Sequence, residues 1–331
     1  MHNFLQKTVL GTALACALAL VASCGSGNGS ASSSPEVPLG FQATTWGTPA
    51  IIADGSGAWD SAGVNVKTRA LSSGKDVRDG ILGGSLDAGT LGVTPFIVGA
   101  ANGKLVAVAV GAYAGNTLAV VVGKDSPIQT VADLKGKKIG SQLGSTTHQI
   151  FVEQIASSAG LKQSDYDLVN IKFQDMFSAL QTGQIDAFAG VDPTVTLAVA
   201  RGTGRVLTTY EEYDPTPLYL VFTKSFIDQD RDEAQKVVDG WVEAIDLFQS
   251  DPERATQLVK KFFDSRGSPI DEAVLKQALS NLDVTADFRE DTEAYLDEQA
   301  ASLIKQGAIS STPDWSKAID TSFLEQAESQ K

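Results

Sequence analysis

Cysteine and histidine are almost missing from this chain. Cys16 and Cys24 are its only cysteines, and His2 and His148 its only histidines, in 331 residues. Cys16 and His2 fall in an N-terminal stretch that reads as a removable leader. The remaining chain therefore has no disulfide framework and no thiol chemistry of its own fold. A zinc site or a Ser-His-Asp triad would have to rest on His148 alone, so no metal and no cofactor is expected. Basic charge is scarce as well. The 26 Lys and Arg stand against 40 Asp and Glu, for a net of −14, which argues against nucleic acid or an anionic membrane surface as partner. The one long apolar run, Val9 to Ala22, is shorter than a typical membrane-spanning helix.

What is present begins with that run. Lys7 supplies a basic start, and the run ends in Val21-Ala-Ser-Cys24, which resembles the lipobox of bacterial lipoproteins. The expectation is a signal peptide over residues 1–23 and an acyl group, such as palmitate, on Cys24. Residues 24–36 form a Gly/Ser-rich tether. The protein would then be extracytoplasmic, held to the cell membrane by lipid.

Beyond the tether, short apolar runs alternate with helical spacing. Strands are expected at 39–46, 64–71, 86–92 and the continuous apolar run Leu105–Val110, with a helix after each of the first three. That order argues for a mostly parallel sheet covered on both faces. After Thr117–Val122 the alternation restarts: a strand at 138–140, a helix over 146–159, a strand over 168–173, a helix over 175–182, and a strand at 185–190. A helix over 195–200 and a strand at 205–209 follow. After the buried run Leu218–Phe222 the chain reads as helices alone, over 232–248, 252–263, 270–282 and 292–304. No repeat of fixed period is visible.

Hydroxyl and acidic residues recur at the expected helix starts. Thr48-Pro49, Thr94-Pro95 and Asp192-Pro193 each read as an N-cap followed by proline at the first helical position. Ser73-Gly74 and Ser145-Thr146-Thr147 open two more helices. An N-cap alone contributes about 1 kcal/mol to stability. Several such starts at strand ends look instead like a polar rim around a cleft, because open parallel sheets bind ligands there and a helix start can hold an anion without lysine. His148, in the first turn of its helix, reads as a wall or surface residue rather than a catalyst. Lys75 and Arg78 are candidate counter-charges.

From Leu39 to Thr209 the chain resembles the sulfonate/taurine/nitrate branch of solute-binding lipoproteins of ABC importers. The resemblance is carried by Thr130-Val-Ala-Asp-Leu-Lys-Gly-Lys-Lys-Ile-Gly140, Gly144-Ser-Thr-Thr-His148, Ala179 to Ala187, Val191-Asp-Pro193 and Gly204-Arg-Val-Leu207. It implies the periplasmic-binding-protein type II fold: two doubly wound α/β lobes joined by two hinge strands around a central cleft, with a helical C-terminal extension on lobe one. Lobe one would comprise 37–122 and 217–331, lobe two 123–216, with hinges at Thr117–Val122 and Leu218–Phe222. The site it implies consists of Trp46, Thr48, Ser73, Gly74, Thr94, Ser145, Thr146, Thr147 and Asp192. Val191 stands where the sulfonate binders carry tryptophan, which weakens the case for an aromatic wall. The implied function is capture of a small organic anion or zwitterion without catalysis. Its partners are the solute, a permease with its ATPase, and the membrane through the anchor, and the protein would act as a monomer. Two further readings stay open: a carrier of a thiamine-pyrimidine or other heterocycle, and a pyrimidine-precursor enzyme on the same scaffold. A lipoprotein that senses without transporting is a third.

Overall fold

The computed structural model describes residues 35–329. The signal peptide, Cys24 and most of the expected tether lie outside the described residues. Ten strands form two five-stranded sheets. The first contains β1 (Val37–Gln42), β2 (Val66–Leu71), β3 (Ala88–Gly92) and β4 (Leu105–Tyr113), joined by β10 (Pro217–Thr223) in the order β2-β1-β3-β10-β4. The second contains β5 (Leu118–Gly123), β6 (Lys138–Ser141), β7 (Asp167–Asn170), β8 (Ala187–Val191) and β9 (Gly204–Thr209), in the order β7-β6-β8-β5-β9.

Both sheets are mixed rather than mostly parallel. β10 runs antiparallel to β3 and β4, and β5 runs antiparallel to β8 and β9. The reason is topological: each of these strands enters its sheet directly from a crossing between the halves, with no helical crossover to turn it parallel. The two runs expected as hinges are thus paired inside the sheets. The chain passes between the lobes just ahead of them, over 114–117 and 210–216. β5 also belongs to the second sheet, although its residues were expected in lobe one.

Apolar periodicity accounts for the layers. β4 and β10 are buried along their whole length, as expected of strands covered on both faces. On one face of the first sheet lie the helices Thr48–Ser56 and Arg231–Ser250; Trp241 from the latter is fully buried, and its indole N–H donates to the Val110 carbonyl at 2.8 Å. On the other face lie the helices Gly74–Leu82, Val93–Ala100 and Thr292–Lys305, around Phe96, Tyr219 and Trp315. The tail is helical as its composition suggests, but the helix Glu272–Leu279 also packs against Thr194–Ala200 of the second lobe. No helix among the described residues is long and apolar enough to cross a membrane.

Candidate functional site

The carboxyl ends of β1, β3, β6 and β8 face one another across the gap between the sheets. The helix starts that follow β2, β3 and β6 converge there. Gly74 is the first residue of its helix, behind an N-cap at Ser73 whose Oγ accepts from the Asp76 N–H. Gly92 caps Val93–Ala100. Ser145 caps the helix beginning at Thr146, with its Oγ accepting from the His148 N–H at 3.1 Å. That helix is α-helical over Thr146–Ile150 and then widens into a π-helical stretch over Phe151–Ala156. The preceding Gly144 has φ +81°, a left-handed turn that glycine adopts without strain and that aims the helix start back into the gap.

Three of these ends, with Gln42, Trp46, Pro95, Phe173 and Val191, enclose an inner cavity of about 10 Å³, the space of roughly one water. Its wall carries no charged side chain. What it presents is neutral: hydroxyls of Ser145, Thr146 and Thr147, and the ends of three helices. Such a wall suits an anion held by dipoles and hydrogen bonds.

The two lobes touch around this cavity. The backbone N–H of Thr94 donates to Thr146 Oγ1 at 3.2 Å. A β-carbon added at Gly92 would lie 2.6 Å from that Thr146 oxygen and 2.8 Å from the Trp46 ring, so only glycine permits this approach. Trp46 is fixed from behind by its indole N–H on Thr117 Oγ1 at 2.8 Å, within the first crossing segment.

The expected site residues divide accordingly. Trp46, Gly74, Ser145, Thr146 and Thr147 line the inner cavity. Thr94 sits at its edge through its backbone N–H, and it is not the cap of its helix. Thr48 is not a cap either: Gly47 precedes the helix, and Thr44 Oγ1 caps the short turn before it. Thr48 is fully buried away from the cavity, its Oγ1 without a partner among the described residues. Ser73 borders an outer trough rather than the inner cavity. Asp192 is wholly engaged: Oδ1 accepts from the N–H and Oγ1 of Thr196, and Oδ2 from Asn281 Nδ2 at 2.9 Å. Its carbonyl accepts from Thr45 N–H and Oγ1. It is a tie between lobes, through Asn281 and Thr45, and it does not line the inner cavity.

Gln42 and Phe173 are lining residues that sequence reasoning missed. Gln42 ends a parallel strand, which was the available signal. Phe173 closes the run 168–173 that has the character of a strand, but it begins the helix Phe173–Gln181. Of the candidate counter-charges, Arg78 and Lys75 both pair with Asp79, at 2.6 and 2.7 Å. His148 is half-buried, and burial lowers its pKa below the usual imidazole value. Its Nδ1 lies 3.4 Å from Ser141 Oγ, and it does not line the cavity.

At the second crossing, Asp214 is 1 % exposed and accepts from four side chains and one backbone N–H. Tyr295 Oη and Gln299 Nε2 come from the tail at 2.8 and 3.1 Å, Gln154 Nε2 from the π-helical stretch at 3.0 Å, and Thr216 gives its N–H and Oγ1 at 2.7 and 3.1 Å. No cation accompanies it among the described residues, and burial pushes its carboxyl above the ordinary value. Through Gln154, the π-helical stretch that continues the helix opened at Thr146 thus reaches the second crossing segment.

Among the described residues no cluster of Asp, Glu, His or Cys could hold a metal ion. The sequence profile of the NMT1-like family matches residues 30–262. A protein named putative aliphatic sulfonates-binding protein from Escherichia coli is 32% identical over 179 residues, 54% of this chain and 56% of that protein. The match thus spans little more than half of that relative's length. A protein of the same name from Bacillus subtilis is 24% identical over 325 residues, 95% of each chain. The alkanesulfonate-binding protein from Xanthomonas axonopodis pv. citri bound to MOPS shares the fold, with a TM-score of 0.76 over 87% of this chain and 99% of that one, at 20% identity.

Proposed function

This chain belongs to the NMT1-like family, and from that premise we propose that it is the extracytoplasmic substrate-binding lipoprotein of an ABC importer. It captures a small organic anion or zwitterion of the sulfonate class and hands it to a membrane permease and its ATPase. An acyl group on Cys24 keeps it at the membrane. Lobe one comprises 37–122 and 217–331 and lobe two 123–216, with the strand β5 exchanged as described.

The observation that carries this reading is the convergence of three helix starts on a cavity with a neutral, hydroxyl-rich wall. The names of the relatives agree with an oxyanion as cargo. Capture works by differential affinity: a ligand that bridges Ser145–Thr147 and the opposing Gly74 and Gly92 ends favours the arrangement in which both lobes contact it. No bond is broken, so neither a nucleophile nor a general base is required. A dissociation constant near micromolar would correspond to about −8 kcal/mol, weak enough for release to a permease.

The test is a thermal-shift and calorimetric screen of the full chain in detergent, against alkanesulfonates, taurine, nitrate, aromatic acids and pyrimidines. Stabilisation by sulfonates with one-to-one stoichiometry is expected. Binding of pyrimidines alone would move the chain to the heterocycle carriers, and no binding across the screen would remove the proposal. Membrane partition of Cys24→Ala tests the anchor; unchanged partition would exclude it.

A further inference from the structure

The inner cavity has no charge, yet a charged space lies immediately outside it. Two adjoining recesses of about 540 and 580 Å³ run along the mouth of the cleft and share Ala43, Gln174 and Arg266 in their walls. Each is in the size range of small-molecule sites, roughly 300–1,000 Å³. Phe173 borders both the inner cavity and one recess. Phe173 is thus common to the neutral cavity and the outer trough.

The sign of this trough is opposite to that of the protein. The whole chain carries −14, but the trough collects Lys75, Lys172, Arg201 and Arg266 against a single carboxylate, Asp76. Asp79 neutralises Lys75 from outside the trough. No ion pair joins Lys172, Arg201 or Arg266 to a carboxylate among the described residues. They come from separate elements: Lys172 precedes Phe173–Gln181, Arg201 follows Thr194–Ala200, and Arg266 follows Pro252–Ser265. The two arginines at helix ends have a plain structural use there, since cations suit helix C-termini. That use does not account for Lys172, which stands at a helix start where a cation is unfavourable. Each guanidinium also packs over a ring, Arg201 on Phe177 and Arg266 on Phe262, both at 5.4 Å from the centroid. Stacking of this kind holds the plane while leaving the N–H edge free for an oxyanion.

We propose that the outer trough is a second subsite that holds an anionic group at the far end of the ligand, so that the preferred cargo is an organic dianion rather than a simple alkyl sulfonate. The proposal rests on the binding function given above. The head group lies among neutral donors at Ser145–Thr147, and the tail passes Phe173 to reach Lys172 and Arg266. Head-group recognition is then insensitive to salt, whereas the contribution of the tail is screened by it.

The experiment compares 3-sulfopropanoate with propane-1-sulfonate, ligands of similar length that differ in the charge of the tail. Calorimetry is run on the full chain at low and high sodium chloride. The sulfocarboxylate should bind about tenfold tighter at low salt, about 1.4 kcal/mol, and the gap should shrink at high salt. Arg266→Gln and Lys172→Gln should each narrow the gap while leaving propane-1-sulfonate affinity unchanged. Equal affinities in the unmodified protein, or a gap that survives both substitutions, would overturn the subsite and leave the sulfonate reading intact. Binding of neither ligand would remove both.

Discussion

The hydroxyl of Thr146 accepts the backbone N–H of Thr94 across the cleft, at 3.2 Å. Both groups belong to first turns of helices, where N–H groups lack intrahelical partners. One lobe thus satisfies the orphan donor of the other at the edge of the inner cavity. This contact is a measurable handle on closure.

Thr146→Val keeps the shape and removes the acceptor. Thr146 is 2 % exposed, so the Thr94 N–H would be left buried and unpaired, at a cost of about 1–3 kcal/mol to the closed arrangement. The expected outcome is weaker sulfonate binding by about one to two orders of magnitude. Unchanged affinity would return Thr146 to a structural role.

Gly92→Ala tests the same contact from the other side. The added methyl would sit 2.6 Å from Thr146 Oγ1, and neither neighbour is the free end of a flexible chain. Small-angle scattering should report a larger radius of gyration in the variant, together with loss of binding. A variant as compact as the parent would show that the lobes approach by another route.

Asp214 gives a pH dependence of unusual sign. Burial raises its carboxyl above the ordinary value of 3.8, so the folded state binds its proton more readily than the unfolded state. Its contribution to stability is most favourable below 3.8 and is lost as pH rises through the raised value. The melting temperature of the parent relative to Asp214→Asn should therefore increase as pH falls from neutral towards 4. A flat difference would mean that the five donors around the carboxylate fully offset its burial.

Trp241→Ala should be the most damaging change away from the cleft. The side chain is fully buried against Gly111, where an added β-carbon would meet its ring at 2.7 Å, and its N–H bonds Val110. A loss of about 3–5 kcal/mol is expected from denaturant melts, with the ligand site spared in whatever fraction stays folded.

Much of the architecture was readable because hydrophobic periodicity reports burial. The continuous run Leu105–Val110 announced a strand covered on both faces, and the Ser145 cap announced its helix. Strand direction was not readable, since β5 and β10 have the same apolar character whichever way they pair. The lining of the candidate cavity was legible where local chemistry places a residue, as at Ser145 and Gly74. It was illegible where a residue's surroundings come from a distant segment. Asp192 looks the same in sequence whether it meets a ligand or Asn281, and Thr48 and Thr94 resemble caps although neighbouring residues take that place. Phe173 was lost to a one-element error, because the strand before it stops at Asn170.

The placement of β10 also bears on biogenesis. The strands of the second sheet are contiguous in sequence from Leu118 to Thr209, whereas the first sheet needs Pro217–Thr223 between β3 and β4. A chain emerging from its N-terminus can finish the later lobe while the earlier one still lacks its penultimate strand. Until residue 223 arrives, β3 and β4 each present an unpaired apolar edge. The lobe that is begun first is thus completed last, and during that interval its open edges are the part of the molecule most in need of shielding from other nascent chains.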